Sequence, residues 1–204
     1  MQKPTLKYER SLWKRGYAFV AGLDEVGVGS LAGPVLVGCV ICKKGFSLKN
    51  SPLARLRDSK SLTKLQREYF ARLLKNHPQI MYTTARVYPT VIDKINIFQA
   101  ARLAMQRAVL RIQPKPSFLL IDGAALLKRN ALPQKAIVKG DKKIFSIAAA
   151  SVLAKVARDR IMRRWSKRLP GYGFERHKGY ATRLHYKALR KLGLSKIHRL
   201  SFLS

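Results

Sequence analysis

The chain has 204 residues, enough for one domain with a full core or one domain plus a small appendage, and 47% apolar content argues for a globular fold over disorder. Lysine and arginine number 42 against 10 acids, a net charge of +32, which points to a polyanionic partner, most simply nucleic acid. No apolar run reaches the roughly 18 residues of a membrane span, and Met1–Thr5 leads into polar sequence with no secretory signal, so a cytoplasmic protein without membrane contact is expected.

Residues 5–15 predict a short amphipathic helix with Leu6, Tyr8, Leu12 and Trp13 on its apolar side. Tyr17–Leu23 reads as a buried strand that enters Asp24-Glu25 and then a loop with glycines at 27, 29 and 33. Neighbouring strand residues face opposite sides, so the two acids share one site only if the strand ends there or the backbone bends. A second strand at 34–42 holds both cysteines. Cys39 and Cys42 would face opposite sides of it, and no further cysteine completes a zinc site, so both are expected as core thiols.

Residues 45–57 are polar and basic, a loop, and Asp58-Ser59-Lys60-Ser61 leads into a helix at 63–76 capped by Ser or Thr. A third strand is expected at 80–87. A helix over 91–112 would place Ile95, Phe98, Ala101, Met105, Ala108 and Ile112 on one face, and Pro114 and Pro116 end it. Short strands at 118–123 and 136–141, a long helix at 145–168, a turn at 169–174 and a last helix reaching about Leu192 complete the chain. This alternation predicts an α/β domain with a central, mostly parallel sheet.

Among the ten acids, three places share one pattern: an apolar strand, an acid at or just after its C-terminal end, and an adjacent glycine. They are Leu23-Asp24-Glu25, Ile121-Asp122-Gly123 and Val138-Lys139-Gly140-Asp141. In open α/β sheets, sites form at such strand ends. Four converging carboxylates would repel one another, and a pair of hard divalent cations relieves that repulsion. Two such ions support phosphodiester hydrolysis. Singly, each aspartate is better read as a turn or helix cap; the three strand ends together favour a metal site. Asp159, between Arg158 and Arg160, is better explained by an ion pair, and Asp58 by a turn. His77, His185 and His198 show no metal-binding spacing; His177 adjoins Lys178-Gly179-Tyr180.

The basic residues are organised too. Lys60 follows Asp58-Ser59, and Lys139, Lys142 and Lys143 flank Asp141. Ser151, Lys155 and Arg158 fall on one helical face, a set suited to successive phosphates. Tyr180, on a glycine turn beside Lys178, offers a ring to stack on a sugar or base, with inward packing as the alternative.

Taken in order, Gly22-Leu23-Asp24-Glu25-Val26-Gly27 with Gly29, Asp58-Ser59-Lys60, Ile121-Asp122-Gly123, Lys139-Gly140-Asp141, Ser146–Lys155, Arg158-Asp159, Tyr172-Gly173-Phe174, His177–Thr182 and Ile197–Phe202 resemble the bacterial ribonuclease HII family from about residue 17 to 202. The resemblance implies a ribonuclease H-like α/β fold: a mixed central sheet flanked by helices, with a helical C-terminal part. Residues 1–16 would be an N-terminal helical extension and 17–204 the catalytic domain. It implies endonucleolytic cleavage of RNA in RNA–DNA hybrids and at ribonucleotides embedded in duplex DNA, with Mg2+ or Mn2+; two ions per site, from the acid pattern, and a monomer are expected. The family's metal-binding acids fall on Asp24, Glu25, Asp122 and Asp141, and its junction-sensing tyrosine on Tyr180. Gly27, Val28 and Gly29 would read the ribose 2′-OH, with Lys60, Ser151 and Lys155 as further substrate contacts.

Two positions depart from the family pattern: Val28 stands where the family loop reads Gly-Arg-Gly, and Ser61 where a second lysine is usual. The competing readings are a non-catalytic hybrid-binding protein of the same fold, and a nuclease or recombinase acting on DNA alone.

Overall fold

The apolar runs before and after the acidic pair become neighbouring strands. A computed structural model describes residues 3–124, 126–127 and 132–203. Its elements run α1 (Lys7–Lys14), β1 (Val20–Val26), β2 (Val35–Cys42), α2 (Lys64–Asn76), β3 (Ile80–Val87), α3 (Pro89–Ile95), α4 (Ile97–Arg111), β4 (Phe118–Asp122), β5 (Gln134–Ile137), α5 (Phe145–Arg168), α6 (Phe174–His177) and α7 (Arg183–Leu192).

β1 is central in a five-stranded sheet of order β3-β2-β1-β4-β5. β1–β2 and β2–β3 pair antiparallel, β1–β4 and β4–β5 parallel. The sheet is therefore mixed, and the mostly parallel sheet expected from strand–helix alternation is not what forms. The link from β1 to β2 is too short for the crossover that a parallel pair needs.

Strand periodicity divides the core. Val20, Val40, Cys42 and Leu120 pack with α5 on one face, while Ala21, Leu23, Cys39, Leu119 and Ile121 pack with Ala100, Ala104 and Ala108 of α4 on the other. The cysteines are buried free thiols in different layers, as expected. α5 sits close against the sheet. A Cβ on Gly38 would run into the carbonyl of Ala150, and Gly38 is the register partner of Asp24. The alanine run of α5 thus brings Ser151, the next residue, to the acidic end of β1.

Residues 5–14 fold against the amino end of α5. Thr5 bridges to Ile144, Leu6, Leu12 and Trp13 join the α5 core, and the Glu9 carboxylate accepts the Ser146 amide at 2.9 Å. Tyr8, expected on the apolar side, is exposed, and Glu9 is buried in its stead.

Two further expectations shift. The helix expected over 91–112 is two helices, because Asn96 takes a left-handed φ of 63° and its side chain caps α4 through the Gln99 amide at 3.0 Å. That break resets the helical phase and leaves Phe98 71% exposed. β5 ends at Ile137, so Val138 is exposed; Lys139 turns left-handed (φ 56°) and carries Asp141 back toward β4 in a short 3-10 turn. A third, smaller core of Ala32, Met162, Tyr172, Phe174, Ala188 and Ile197 joins the C-terminal segment to the loop after β1.

Candidate active site

The site forms where β1 and β4 end side by side. They pair in parallel up to Leu23 and Ile121, so Asp24 and Asp122 leave adjacent strands at the same level. Asp141 arrives from the 3-10 turn. That turn is tied to β4 by Asp122, whose Oδ1 accepts the Gly140 amide at 2.6 Å and the Asp141 amide at 3.4 Å. One carboxylate oxygen from each of Asp24, Asp122 and Asp141 lies within 4.8 Å of the other two. Glu25 stands outside that group of three but lines the same cavity. β1 runs on to Val26, so the strand does not end at the acidic pair; both acids reach the cavity because they sit at its rim.

The cavity holds about 420 Å³, and all four acids and all seven expected substrate contacts line it, together with Val26 and Ser59. Ser59 carries no sequence pattern that marks it as part of this site. Its hydroxyl lies 2.7 Å from that of Ser151, whose side chain offsets part of the rise in the Asp24 pKa. The two hydroxyls thus join α5 to the loop before α2 beside Asp24. Asp58 holds that loop in shape, accepting from the Lys60 amide at 3.0 Å, the Ser61 amide at 3.1 Å and the Ser61 hydroxyl at 2.6 Å. Lys60 is thereby presented to the cavity.

The electrostatics are those of an acidic cluster that Lys60 and Lys142 only partly offset. Burial, then the charges of Glu25 and Asp122, hold the Asp24 carboxyl well above its ordinary range. Glu25 is pushed up to about 7 by burial and by Asp122. Asp141 is raised by burial and by Asp122 and Asp58. Buried carboxylates that resist ionisation together, offering only oxygen donors, fit hard divalent cations such as Mg2+ or Mn2+.

The basic wall differs from expectation at one residue. Lys155 lines the cavity, paired with Asp159 at 2.9 Å, so Asp159 has an ion-pair partner one helical turn away. Arg158, grouped with Ser151 and Lys155 as a phosphate contact from its spacing, is fully buried. Its guanidinium donates to the carbonyls of Pro34 at 2.9 Å, Ala32 at 3.1 Å and Lys178 at 3.0 Å. The same face of α5 dips under the Tyr180 turn at that point. Lys155 and Arg158 both approach the Tyr180 ring, at 5.2 and 5.1 Å from its centroid.

The turn that carries Tyr180 is fixed by histidines. His177 Nδ1 accepts the Gly179 amide at 3.1 Å while Nε2 meets the Tyr172 carbonyl at 2.7 Å. His185 Nδ1 meets the Tyr180 carbonyl at 3.0 Å, and its Nε2 lies 3.0 Å from Nε2 of His198. All three rings are buried, and no spacing between positions 177, 185 and 198 reveals them as one cluster.

The loop from Gly27 to Gly29 completes the wall. Gly27 has φ +89°, and a Cβ there would strike the Arg158 side chain, so only glycine fits. Val28 is half-buried against the α4-side core while still lining the cavity.

Comparison with known proteins accords with this geometry. The family model described as Ribonuclease HII matches residues 21–204. A protein named Ribonuclease HII from Solibacter usitatus is 46% identical over 194 residues, covering 95% of this chain and 82% of the relative. One of the same name from Chlorobium phaeobacteroides is 44% identical over 198 residues, covering 97% and 96%. Among solved structures, the PCNA:RNase HII complex from Archaeoglobus fulgidus superposes with a TM-score of 0.75 at 26% identity, covering 89% of this chain and 94% of that one. The ribonuclease H2 from Pyrococcus horikoshii gives 0.72 at 25% identity, covering 90% and 93%.

Proposed function

The chain belongs to the ribonuclease HII family and is an endoribonuclease that hydrolyses RNA in RNA–DNA hybrids, and from that premise we propose that it also cuts at single ribonucleotides embedded in duplex DNA, leaving 5′-phosphate and 3′-hydroxyl ends. The observation that carries this reading is the clustering of Asp24, Asp122 and Asp141 at one end of a cavity whose wall is the Gly27–Gly29 loop. The acids and the loop proposed to read the ribose thus line one cavity.

Asp24, Asp122 and Asp141 would hold two divalent cations, Mg2+ or Mn2+, with Glu25 as the fourth ligand. When bound, such ions supply an activated water and stabilise the leaving oxygen in an in-line displacement. The chain's own residues do the rest. Ser151 and Ser59 keep Asp24 oriented. Lys60 meets a phosphate from the loop side and Lys155 from the helix side. The Tyr180 ring stacks on the sugar or base next to the cut. The amides of Val28 and Gly29 have no hydrogen-bond partner among the described residues, and both residues line the cavity. They would donate to the ribose 2′-oxygen, the atom that separates RNA from DNA.

The setting we infer is cytoplasmic; among the described residues no helix is long and apolar enough to cross a membrane. The test is a DNA duplex carrying one ribonucleotide, incubated with Mg2+, Mn2+ or chelator. Cleavage beside the ribose that needs a divalent ion is expected. Binding without cleavage in both metals would favour the hybrid-binding alternative, and cutting of an all-DNA duplex would favour a DNA nuclease.

A further inference from the structure

Arg199 lies far along the chain from the loop after β1, yet its guanidinium is spent almost wholly on that loop. Nη1 donates to the Val28 carbonyl at 2.8 Å, Nη2 to the Gly27 carbonyl at 2.6 Å and the Gly33 carbonyl at 3.0 Å, and Nε to Gly33 at 3.1 Å. The side chain is fully buried, and among the described residues no carboxylate pairs with it within 4.0 Å. Burial lowers its pKa to about 9, with the charge of Arg158 adding to the effect. A buried cation without an anion is costly unless its donors are all used. Here four of the five N–H groups are used, all on carbonyl oxygens of one short segment.

The consequence is directional. A loop has donors and acceptors, and a guanidinium that takes the acceptors leaves the donors. With the Gly27 and Val28 carbonyls drawn toward Arg199, the Val28 and Gly29 amides remain without partners among the described residues, in a stretch that lines the cavity. The neighbouring backbone is stitched down as well. The Arg199 amide bonds to the Leu31 carbonyl at 2.8 Å, and the Leu31 amide to the Gly179 carbonyl at 2.8 Å. Arg199 is held in turn by Asp93, whose carboxylate accepts the Leu200 and Ser201 amides, each at 3.1 Å, and the Ser201 hydroxyl at 2.6 Å.

We propose that Arg199 is the positioning residue for ribose discrimination: it fixes the Gly27–Val28 carbonyls on the protein side so that the loop presents only amide donors to the substrate's 2′-oxygen. The proposal rests on the reading of this loop as the ribose reader. Arg199 itself touches no substrate; it sets the orientation of the groups that do.

The experiment compares wild type, Arg199→Lys and Asp93→Ala. Dissociation constants are measured in Ca2+ for two duplexes identical but for one ribonucleotide, alongside kcat and KM in Mg2+ and the melting temperature. Lysine keeps the charge but cannot span three carbonyls. For Arg199→Lys the preference for the ribonucleotide duplex should fall about tenfold, the worth of roughly one hydrogen bond. All-DNA affinity should hold, and kcat should fall at least tenfold while KM, set by the phosphates, changes less than twofold. Asp93→Ala, a half-buried change that frees the residues next to the clamp, should show a smaller fall of the same kind. If Arg199→Lys does not fold, Asp93→Ala decides alone. An unchanged preference, or equal weakening on both duplexes, overturns the proposal. If wild type itself shows no preference for the ribose, the loop reading fails first; if wild type discriminates and the folded variants do so equally, only the role of Arg199 falls.

Discussion

Asp122 Oδ1 and the Gly140 amide meet at 2.6 Å, so the acid at the end of β4 also anchors the turn that delivers Asp141. An asparagine at 122 retains an oxygen for that bond while losing the charge. Asp122→Asn should therefore keep its fold and bind hybrid as well as or better than wild type, since phosphate repulsion falls. Cleavage should drop at least ~1,000-fold, in line with the several kcal/mol that bound metal contributes to such reactions. Asp159→Asn, which removes only the partner of Lys155, should lose less than about tenfold. Single-turnover assays on one hybrid compare the two, and equal losses would reopen the choice of Asp141 over Asp159.

Removal of metal should make stability fall as pH rises. Glu25 is pushed up to about 7, and Asp24 and Asp141 are raised too. A carboxyl whose folded pKa is raised contributes stability that is complete below its unfolded value and lost as pH climbs through the folded one. For Glu25 that loss lies around pH 7. In chelator, the melting temperature should fall by about 5 °C between pH 6.5 and 8.5. Added Mg2+ should recover it, more at pH 8.5 than at 6.5. A melting curve that is flat with pH in chelator would contradict the acidic cluster as described.

Acidification should loosen the C-terminal segment by the opposite sign. Burial lowers the pKa of His177 and His198, and that of His185 to about 4. Stability from neutral buried histidines is present above their unfolded value near 6.5 and lost as pH falls toward the folded one. Between pH 6.5 and 4, hydrogen exchange should therefore rise in residues 177–192 before it rises in the sheet. Uniform protection across both would exclude a local histidine effect.

Affinity should depend steeply on salt. If about 4–6 phosphates are neutralised, log K for a hybrid falls with log salt at a slope near −4 to −5. A shallow slope would mean that the +32 net charge serves something other than this duplex.

Val28→Arg should tighten substrate grip without changing what is recognised. Val28 packs half-buried against the α4-side core and cannot bond a phosphate. An arginine there would add charged hydrogen bonds worth roughly 1–3 kcal/mol. KM on both a long hybrid and an embedded ribonucleotide should fall about tenfold, with the ribose requirement intact, because the loop amides are unchanged. Steady-state kinetics on the two substrates measure this; a wild type inert on both, with activity appearing only in the variant, would favour the binding-protein alternative.

The sequence by itself determined the elements and the acids. Apolar periodicity located the five strands and the long α5 to within a few residues, and the acid-after-strand pattern picked out Asp24, Asp122 and Asp141, which the fold brings within 4.8 Å. These are local properties: which face a residue occupies depends on its near neighbours. Tertiary structure decided whatever depends on distance along the chain. It set the mixed strand order, and it separated Lys155 from Arg158, three residues apart on one helix, by sending the second beneath the Tyr180 turn. It also joined Ser59 to Ser151 across 92 positions and Arg199 to Val28 across 171. A hydroxyl or a guanidinium carries no sign in sequence of which carbonyl it will find, because that partner is chosen by how whole elements pack.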